Sequence, residues 1–600
     1  MAIGDASWSP KVRILQDLKE SNPGQWYNKL KRMACYDQAK FTTFKVTSLE
    51  DLPDNEAAEK IADSFAKISQ QFEPLNEKEL PAFLPAQKPP GIKPEDVRNM
   101  IKSTSKTKST FKGDLPFSLI KEFSDELSYP LSHIYNESLM AGQYPHKWKQ
   151  EHVTPMPKVY PPENENDLRK ISGTSFFSKL FERFIVKWIR EDIKDQMDPA
   201  AYGGEPGLST AHYLIKLVHD ILEGLDTNSK GNITAAIATF YDWSKAYDMQ
   251  CHKLGVESFI ECGVRASILP ILVSYLQDRT MIVKYKSAIS TERELPGGGA
   301  QGTLIGPIEY ACQSNKSANV VDSNKRYKFV DDLTTLEIAM LASKVLSYNF
   351  HNHVTSDIGT ENLFIEGKDL KTANHIYEIN KWTQNQKMSL NSKKTKYMAV
   401  NYTRDYQFNT RLYIENTLLE CISQIKLLGV ELTSDLSWKT NTESTVKKAF
   451  ARMSLIRKLV GFGVKETDLK DIYIAYIRSK LEYCAPLWHS TLTEEQNQDL
   501  ERVQKCALRT ILQERYISYE NALEVLDMEK LDVRREEICT SFALKSLKHP
   551  QLKTWFPKND VNLYNIRDRE PYQVTHAHNE RFRNSTIPYL QRLLNNLNAN

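Results

Sequence analysis

The hexapeptide Tyr327-Lys328-Phe329-Val330-Asp331-Asp332 constrains what this chain can fold into more than any other stretch. An apolar pair runs straight into two adjacent acids, and Leu333-Thr334-Thr335-Leu336 follows. The pattern predicts a β-hairpin with the acids at its tip. Neighbouring carboxylates repel, so a fold that holds two at one point usually has a cation there. An Asp-Asp pair is otherwise a solvated surface turn. The choice rests on whether another carboxylate arrives from a strand.

The chain supplies one. Residues Ile233 to Asp242 are small and β-favouring, as a buried central strand would be, and Trp243-Ser244-Lys245-Ala246-Tyr247-Asp248 follows. A carboxylate at the end of a central strand is costly to bury unless a cation or donor meets it. Asp242, Asp331 and Asp332 together could hold two metal ions, the arrangement that serves in-line displacement at phosphorus. The ion expected is Mg²⁺, hard and oxygen-liganded, with Mn²⁺ as the alternative.

Other stretches offer groups for a phosphorylated ligand. Trp148 to Lys158 contains a short strand with Val153 and Met156, which Pro155 and Pro157 confine to a sheet edge or a strand end. After a turn-like gap from Pro161 to Asp167, Arg169-Lys170-Ile171-Ser172 leads into a helix predicted over 178–193. Lys158 and Arg169 could clamp a triphosphate, Arg as a bidentate fork and Lys as a point charge; each also reads as an exposed surface cation. Leu295 to Pro307 is a Gly-dense loop entering a helix. No Gly-Lys-Ser/Thr closes it, so it is not a Walker A loop. It would let backbone approach a flat ligand, with Gln301 offering an amide, or it is a plain turn.

At 600 residues the chain has room for roughly three to five domain-sized units. With 40% hydrophobic and 26% charged residues it is globular, and a net charge of +3 makes any basic surface local. The eight cysteines show no C-x-x-C or zinc-finger spacing, which suits a reducing compartment. Cys484 with His489 and His576 with His578 are the metal-like pairs. No apolar run approaches about 18 residues and the start lacks the marks of a signal peptide, so neither a membrane span nor secretion is expected.

Along the chain, residues 1 to about 95 read as helices and polar linkers, with an amphipathic start at Trp26, Tyr27 and Leu30 and helical spacing from Ala57 to Phe72 through Ile61, Phe65, Ile68 and Phe72. Lys102, Lys106, Lys108 and Lys112 lie in a polar stretch that could touch a phosphate backbone or be a solvated loop. A helix over 446–459 carries Lys447, Lys448, Arg452, Arg457 and Lys458, either along a duplex or as a solvated basic face. From about Trp555 the sequence reads as polar and loop-rich.

Taken in order, Asp242 to Asp248, Gln301-Gly-Thr-Leu-Ile-Gly-Pro307 and Phe329-Val-Asp-Asp332 resemble reverse-transcriptase motifs A, B and C. Trp148 through Lys158, Arg169 to Ser172, Ser178-Lys-Leu-Phe-Glu182 and Tyr202-Gly203 with Ser209-Thr210 look like the fingers motifs of non-LTR, LINE-type retrotransposon polymerases. Asn391-Ser-Lys-Lys-Thr395 resembles motif D, and Lys426-Leu-Leu-Gly-Val430 with Leu436-Ser-Trp438 resembles motif E, the primer grip. Leu481-Glu-Tyr-Cys-Ala-Pro-Leu-Trp488 and Leu500 to Cys506 look like the thumb and following region of jockey-like elements.

The resemblance implies an α+β right-hand polymerase with fingers, a palm built on an antiparallel sheet, a thumb, and helical N- and C-terminal extensions. Its divisions would be 1–95 extension, 96–230 fingers with the start of the palm, 231–440 palm, 441–515 thumb and 516–600 C-terminal region. Asp242, Asp331 and Asp332 would be the catalytic, metal-holding acids. Tyr247 would be the steric gate that selects dNTPs by excluding a 2′-OH. Gln301 and Gly302 would sit by the incoming base and template, and Lys158 and Arg169 on the triphosphate. Lys394 would be the cation near the leaving pyrophosphate, with Lys393 and Lys396 as alternatives in register. The partners implied are template RNA, primer or target DNA and dNTPs, in the nucleus or a cytoplasmic ribonucleoprotein.

The sequence departs from the family at several places. Lys170 replaces the usual Pro, Gly204-Glu205-Pro206 replaces a basic aromatic run, Ala300 precedes Gln301, and Ala311 to Asp322 is unusually polar. The endonuclease and Cys/His knuckle of such elements are not recognised, so a fragment or truncated copy is expected. Two rival functions remain: a non-catalytic nucleic-acid-binding relic and an RNA-dependent RNA polymerase.

Overall fold

The computed structural model describes Trp26 and residues 44–81, 88–105, 115–226, 233–341, 361–365, 370–401, 406–559 and 570–599. Tyr27, Leu30, Lys106, Lys108 and Lys112 lie outside the described residues. The chain is a mixed α/β structure in which Ile233–Tyr241 is the middle strand of a five-stranded sheet. The strand order is Glu420–Cys421, Lys396–Val400, Ile233–Tyr241, Asp332–Leu341, Arg326–Phe329, antiparallel throughout except for the first pair. Side chains alternate across a strand, and here both sides are buried. Ala236, Ala238 and Phe240 join one core with Tyr213, Leu214 and Leu217 of helix Thr210–Asp226. Ala235, Ile237 and Tyr241 join the opposite core with Ile376 and Ile379 of helix Lys371–Asn385. The run of small residues is what lets helices close on both faces.

A second five-stranded sheet holds Leu168–Gly173, Gln150–Pro157, Thr280–Tyr285 and Ala288–Ile289 in that order, with Arg293–Glu294 also against Thr280–Tyr285. The expected confinement of Gln150–Pro157 by its prolines is met in half of the strand. Gln150 to Val153 pair on the side of Thr280–Tyr285, whereas Pro155 and Pro157 have only Leu168–Gly173 beside them. A proline cannot donate to a ladder, so the second neighbour stops where the prolines begin. Helix Asp54–Ser69 lays Ala57, Ala58, Ile61 and Ala62 on this sheet, against Val153, Leu168, Met281 and Val283.

Beyond the central sheet the chain is mainly helical. Helices Lys439–Gly461 and Glu494–Leu512 pack together, and one core continues from the sheet through Ile456, Leu508 and Phe582 to Leu590 and Leu594. The expectation of a polar, loop-rich end from Trp555 is therefore corrected. Trp555 and Phe556 are buried, and Thr586–Ala599 is a helix. Ile587, Leu590, Leu593 and Leu594 form a helical stripe that the surrounding Asn and Arg residues obscure in the sequence. The polarity of Ala311 to Asp322 is also explained: helix Ile305–Gln313 ends there and the rest is turn. Among the described residues no helix is long and apolar enough to cross a membrane.

Candidate active site

Strand register brings the acids together. Tyr241 lies opposite Leu333 and Phe329 opposite Asp332, so Asp242 emerges next to Asp332 where the strands end. Val330 and Asp331 form the two-residue hairpin turn. Val330 has φ +59°, a costly conformation for a β-branched residue, and it persists only where surroundings enforce it. The surroundings are residues 198–203. Tyr202 N–H donates to the Lys328 carbonyl at 2.8 Å, and Lys328 N–H to that of Ala200 at 3.0 Å. Asp198 takes Arg326 at 2.9 Å and Lys328 at 2.7 Å. At Gly203 a Cβ would stand 2.4 Å from the Val330 nitrogen, so Gly alone fits.

Burial acts on Asp332 and Asp242 first, and their acidic neighbours second. Burial, with Asp331 and Asp242 adding, pushes Asp332 up to about 6. Burial raises Asp242 also, opposed by Lys394 and reinforced by Asp331. Neither the Asp331 nor the Asp332 carboxylate accepts a hydrogen bond from any described residue. Asp331 is exposed and Asp332 partly buried; a partly buried acid without a donor among the described residues suits an external cation, and this all-oxygen set fits Mg²⁺ or Mn²⁺. The oxygens of the three acids do not all lie within 4.8 Å of one another; the group among the described residues that does is His219, Asp220 and Glu223. In that group Asp220 is already taken by Lys216 and Tyr327.

The loop bearing Lys394 is tied to the Asp242 strand. Asn391 N–H donates to the Asp242 carbonyl at 2.8 Å, and the Asp242 N–H to Thr395 Oγ1 at 3.2 Å. Lys394 Nζ stands 3.8 Å from Asp242 Oδ2, an exposed pair that contributes little to stability. Lys393 lies in the same loop, whereas Lys396 begins strand Lys396–Val400 and pairs with Glu420 at 2.7 Å.

Lys158, Arg169, Lys170, Lys245, Asp248 and Gln301 line one small pocket. Gln301 Nε2 donates to Asp248 Oδ1 at 3.1 Å. Burial lowers the pKa of Lys158, and Lys245 and Arg169 lower it further, against the opposing pull of Asp248 and Asp167. Lys245 was not singled out in the sequence reading. Its signal was present: a Lys three residues after Asp242, in a turn with φ +52°. Gly302 has φ +81°, and a Cβ there would meet the Ser172 carbonyl at 2.1 Å. Tyr247 stacks on Tyr310 with centroids 5.0 Å apart, and burial, with Asp331 adding, pushes its phenol up to about 12.

The buried layer beneath this pocket gives the flanking motifs a physical meaning. Lys170 reaches Glu151 at 2.9 Å, and Arg279 reaches the same carboxylate at 3.0 Å. Burial works against the Glu151 charge, but Lys170, Arg279 and the Ser172 hydroxyl outweigh it and hold the carboxyl below the ordinary range. Glu182 accepts from Ser178 Oγ at 3.0 Å and from the Leu304 and Ile305 N–H groups at 2.5 and 3.3 Å, capping the helix that follows Gln301 and Gly302.

No protein-family model matches the chain. It is similar to three proteins of Drosophila melanogaster. It is 24% identical over 452 residues to the probable RNA-directed DNA polymerase from transposon BS, covering 74% of this chain and 47% of that protein. It is 30% identical over 185 residues to the probable RNA-directed DNA polymerase from transposon X-element, covering 30% and 20%. It is 21% identical over 387 residues to the RNA-directed DNA polymerase from mobile element jockey, covering 63% and 40%. The chain thus spans about half the length, or less, of the curated relatives it matches. The proteins it is similar to are thus RNA-directed DNA polymerases of Drosophila mobile elements, the class of enzyme whose motifs the stretches around Asp242, Gln301 and Asp331-Asp332 resemble.

Proposed function

We propose that this chain is an RNA-directed DNA polymerase that extends a primer 3′-OH with dNTPs on an RNA template. The observation that carries the reading is the meeting of Asp242, Asp331 and Asp332 at one strand end, the hairpin acids without donors among the described residues, on a chain that also gathers Lys158, Arg169 and Lys245 around Asp248 in one pocket. In this reading 231–440 is the palm, 96–230 the fingers with the start of the palm, and 441–515 the thumb, with extensions over 1–95 and 516–600.

Asp242, Asp331 and Asp332 would hold Mg²⁺, or Mn²⁺ in its place, which would supply Lewis-acid stabilisation of the attacking oxygen and of the leaving pyrophosphate. Lys158 and Arg169, joined by Lys245, hold the triphosphate; Lys394 stands over Asp242 as the cation toward the leaving group. Gln301, oriented by Asp248, and Gly302, closed against Ser172, set the floor for the incoming base. Tyr247, backed by Tyr310, fills the space of a ribose 2′-OH, which favours dNTPs over rNTPs and disfavours the RNA-polymerase alternative. The exposed cations Lys447, Lys448, Arg457 and Lys458 line helix Lys439–Gly461 for a duplex backbone. Arg452 stands apart from them, since it bonds the Tyr476 carbonyl at 2.6 Å and covers its ring.

The test is primer extension with purified chain, an RNA template with an annealed DNA primer, Mg²⁺, and either dNTPs or rNTPs, beside Asp331→Asn. Extension with dNTPs that vanishes in the variant supports the reading. Tight RNA binding without extension by the unaltered chain favours the relic, and efficient rNTP incorporation favours the RNA polymerase.

A further inference from the structure

Helix Thr210–Asp226 packs on strands Ile233–Tyr241, Arg326–Phe329 and Asp332–Leu341. One turn of it gathers a mixed set of ligand atoms. A ring nitrogen of His219 and one carboxylate oxygen each from Asp220 and Glu223 all lie within 4.8 Å of one another. His219 and Glu223 are four positions apart, so the helical repeat puts them on one face. His219 is only 9% exposed, its Nδ1 is buried without a hydrogen-bond partner, and no described residue engages the other ring nitrogen. A polar atom buried that deeply is normally paired. Two of the three groups are held from outside the turn. The Phe582 ring, from helix Glu580–Arg583, stands 5.3 Å from that of His219. Asp220 is buried and accepts from Tyr327 Oη at 2.5 Å on one oxygen and from Lys216 Nζ at 2.6 Å on the other. Each carboxylate oxygen has two lone pairs, so both keep an acceptor position. Glu223 is exposed and has no hydrogen-bond or ion-pair partner among the described residues.

We infer that His219, Asp220 and Glu223 form a site for a transition-metal dication such as Zn²⁺, separate from the acids at the strand ends. The donor set decides the ion. One imidazole with two carboxylates suits Zn²⁺, whereas Mg²⁺ takes oxygen ligands and suits the all-oxygen group of Asp242, Asp331 and Asp332. Three protein ligands leave the fourth tetrahedral position to water. With bonds of about 2.0 Å the ligand atoms stand roughly 3.3 Å apart, and the exposed Glu223 side chain is the one that closes the difference. Lys216 and Lys325 are the positive charges that oppose an ion beside His219. Lys216 is part exposed and can swing into water when the ion takes Asp220 Oδ1. Tyr327 Oη stays on the other oxygen, as the outer partner that orients a ligating carboxylate. The ion then staples the end of helix Thr210–Asp226 and, through Asp220 and Tyr327, steadies strand Arg326–Phe329. The inference does not rest on the polymerase reading.

The test is a titration of the whole chain, stripped with chelator and returned to buffer with excess Mg²⁺. Zn²⁺ is added in a calorimeter, and Co²⁺ in a spectrophotometer, where its visible absorption reports tetrahedral coordination. The chain is expected to take up one Zn²⁺ with a Kd of about 10 µM or tighter. Glu223→Gln alters an exposed side chain, so its fold is kept, and it should weaken binding at least about tenfold, as should His219→Asn. Lys216→Met removes the competing charge and should tighten binding at least about threefold. Asp331→Asn should leave the Kd within about twofold. Zn²⁺ should raise the melting temperature of the unaltered chain and not that of Glu223→Gln. No saturable uptake below about 100 µM by the unaltered chain overturns the site. So does uptake that persists unchanged in Glu223→Gln and His219→Asn, as binding at the exposed His576, His578 or Cys421 would. Uptake lost in Asp331→Asn overturns the separation from the strand-end acids.

Discussion

Gly203 and Val330 meet backbone to backbone: a single added methyl on the glycine would lie 2.4 Å from the Val330 nitrogen and 2.8 Å from the Phe329 carbonyl carbon. No flexible side-chain end is available to give way. Gly203→Ala is therefore expected to displace the turn that carries Asp331, costing about 1–3 kcal/mol of stability. Extension should fall more than about tenfold, because a displacement near 1 Å at a reacting centre is amplified in rate. Thermal melting and primer extension of the same preparation check both parts.

The acid cluster should make the metal-free protein less stable as pH rises. Asp332 has its folded pKa raised to about 6, above that of an unfolded Asp. Its contribution to stability is thus fully present below about pH 4 and is lost as pH rises through about 6. Asp332→Asn should be more stable than the unaltered chain at pH 7.5 in chelator, by about 1–2 kcal/mol after allowance for solvent screening, and equal to it near pH 4. Adding Mg²⁺ at pH 7.5 should raise the melting temperature of the unaltered chain and not that of the variant. A variant less stable at pH 7.5 in chelator would contradict the account.

Neighbouring cations on one strand should behave differently. Lys170→Ala strips a buried partner from Glu151 and is expected to cost about 3 kcal/mol, since a buried carboxylate is left with Arg279 and Ser172 alone. Arg169→Ala removes an exposed side chain, so stability should move by no more than about 0.5 kcal/mol. The dNTP KM of Arg169→Ala should rise about tenfold. Urea melts and dNTP titrations of the two variants separate the roles.

Asp226 accepts the N–H groups of His578 at 2.7 Å and Asn579 at 2.9 Å, together with the Asn579 side chain. Asp226→Ala should release that segment, costing about 2–3 kcal/mol for hydrogen bonds to a charged group. Limited proteolysis is the check: cleavage beyond Trp555 should speed up in the variant, ahead of cleavage in helix Thr210–Asp226.

The acid-bearing hairpin and the Asp242 strand were legible because their signals are local. A period of two, a run of small residues and a charge at the strand end all lie within ten positions. Lys158, Arg169 and Gln301 were legible only as types; their convergence depends on two sheets meeting. Lys170 was read as a departure because its partner Glu151 is 19 residues back on the neighbouring strand, and Arg279, the second partner, is 128 residues from Glu151. Asp198, which anchors Arg326 and Lys328, carried no local sign, and neither did the Glu182 cap on a helix more than a hundred residues away. Helix Thr586–Ala599 was hidden by composition: Asn and Arg residues interrupt it, one of them, Asn595, buried in bonds to Tyr572 and Glu570, and the apolar stripe shows only at helical period.

The link between Asp226 and Asn579 spans 353 residues. Helix Thr210–Asp226 packs on strands Ile233–Tyr241 and Asp332–Leu341, and its last carboxylate is satisfied by a segment 352 residues further along the chain. A chain cut anywhere between Asp332 and His578 would keep Asp242, Asp331 and Asp332 and yet lose the donors that Asp226 holds. Possession of the three acids and completion of the bed they rest on are therefore separable properties of this chain.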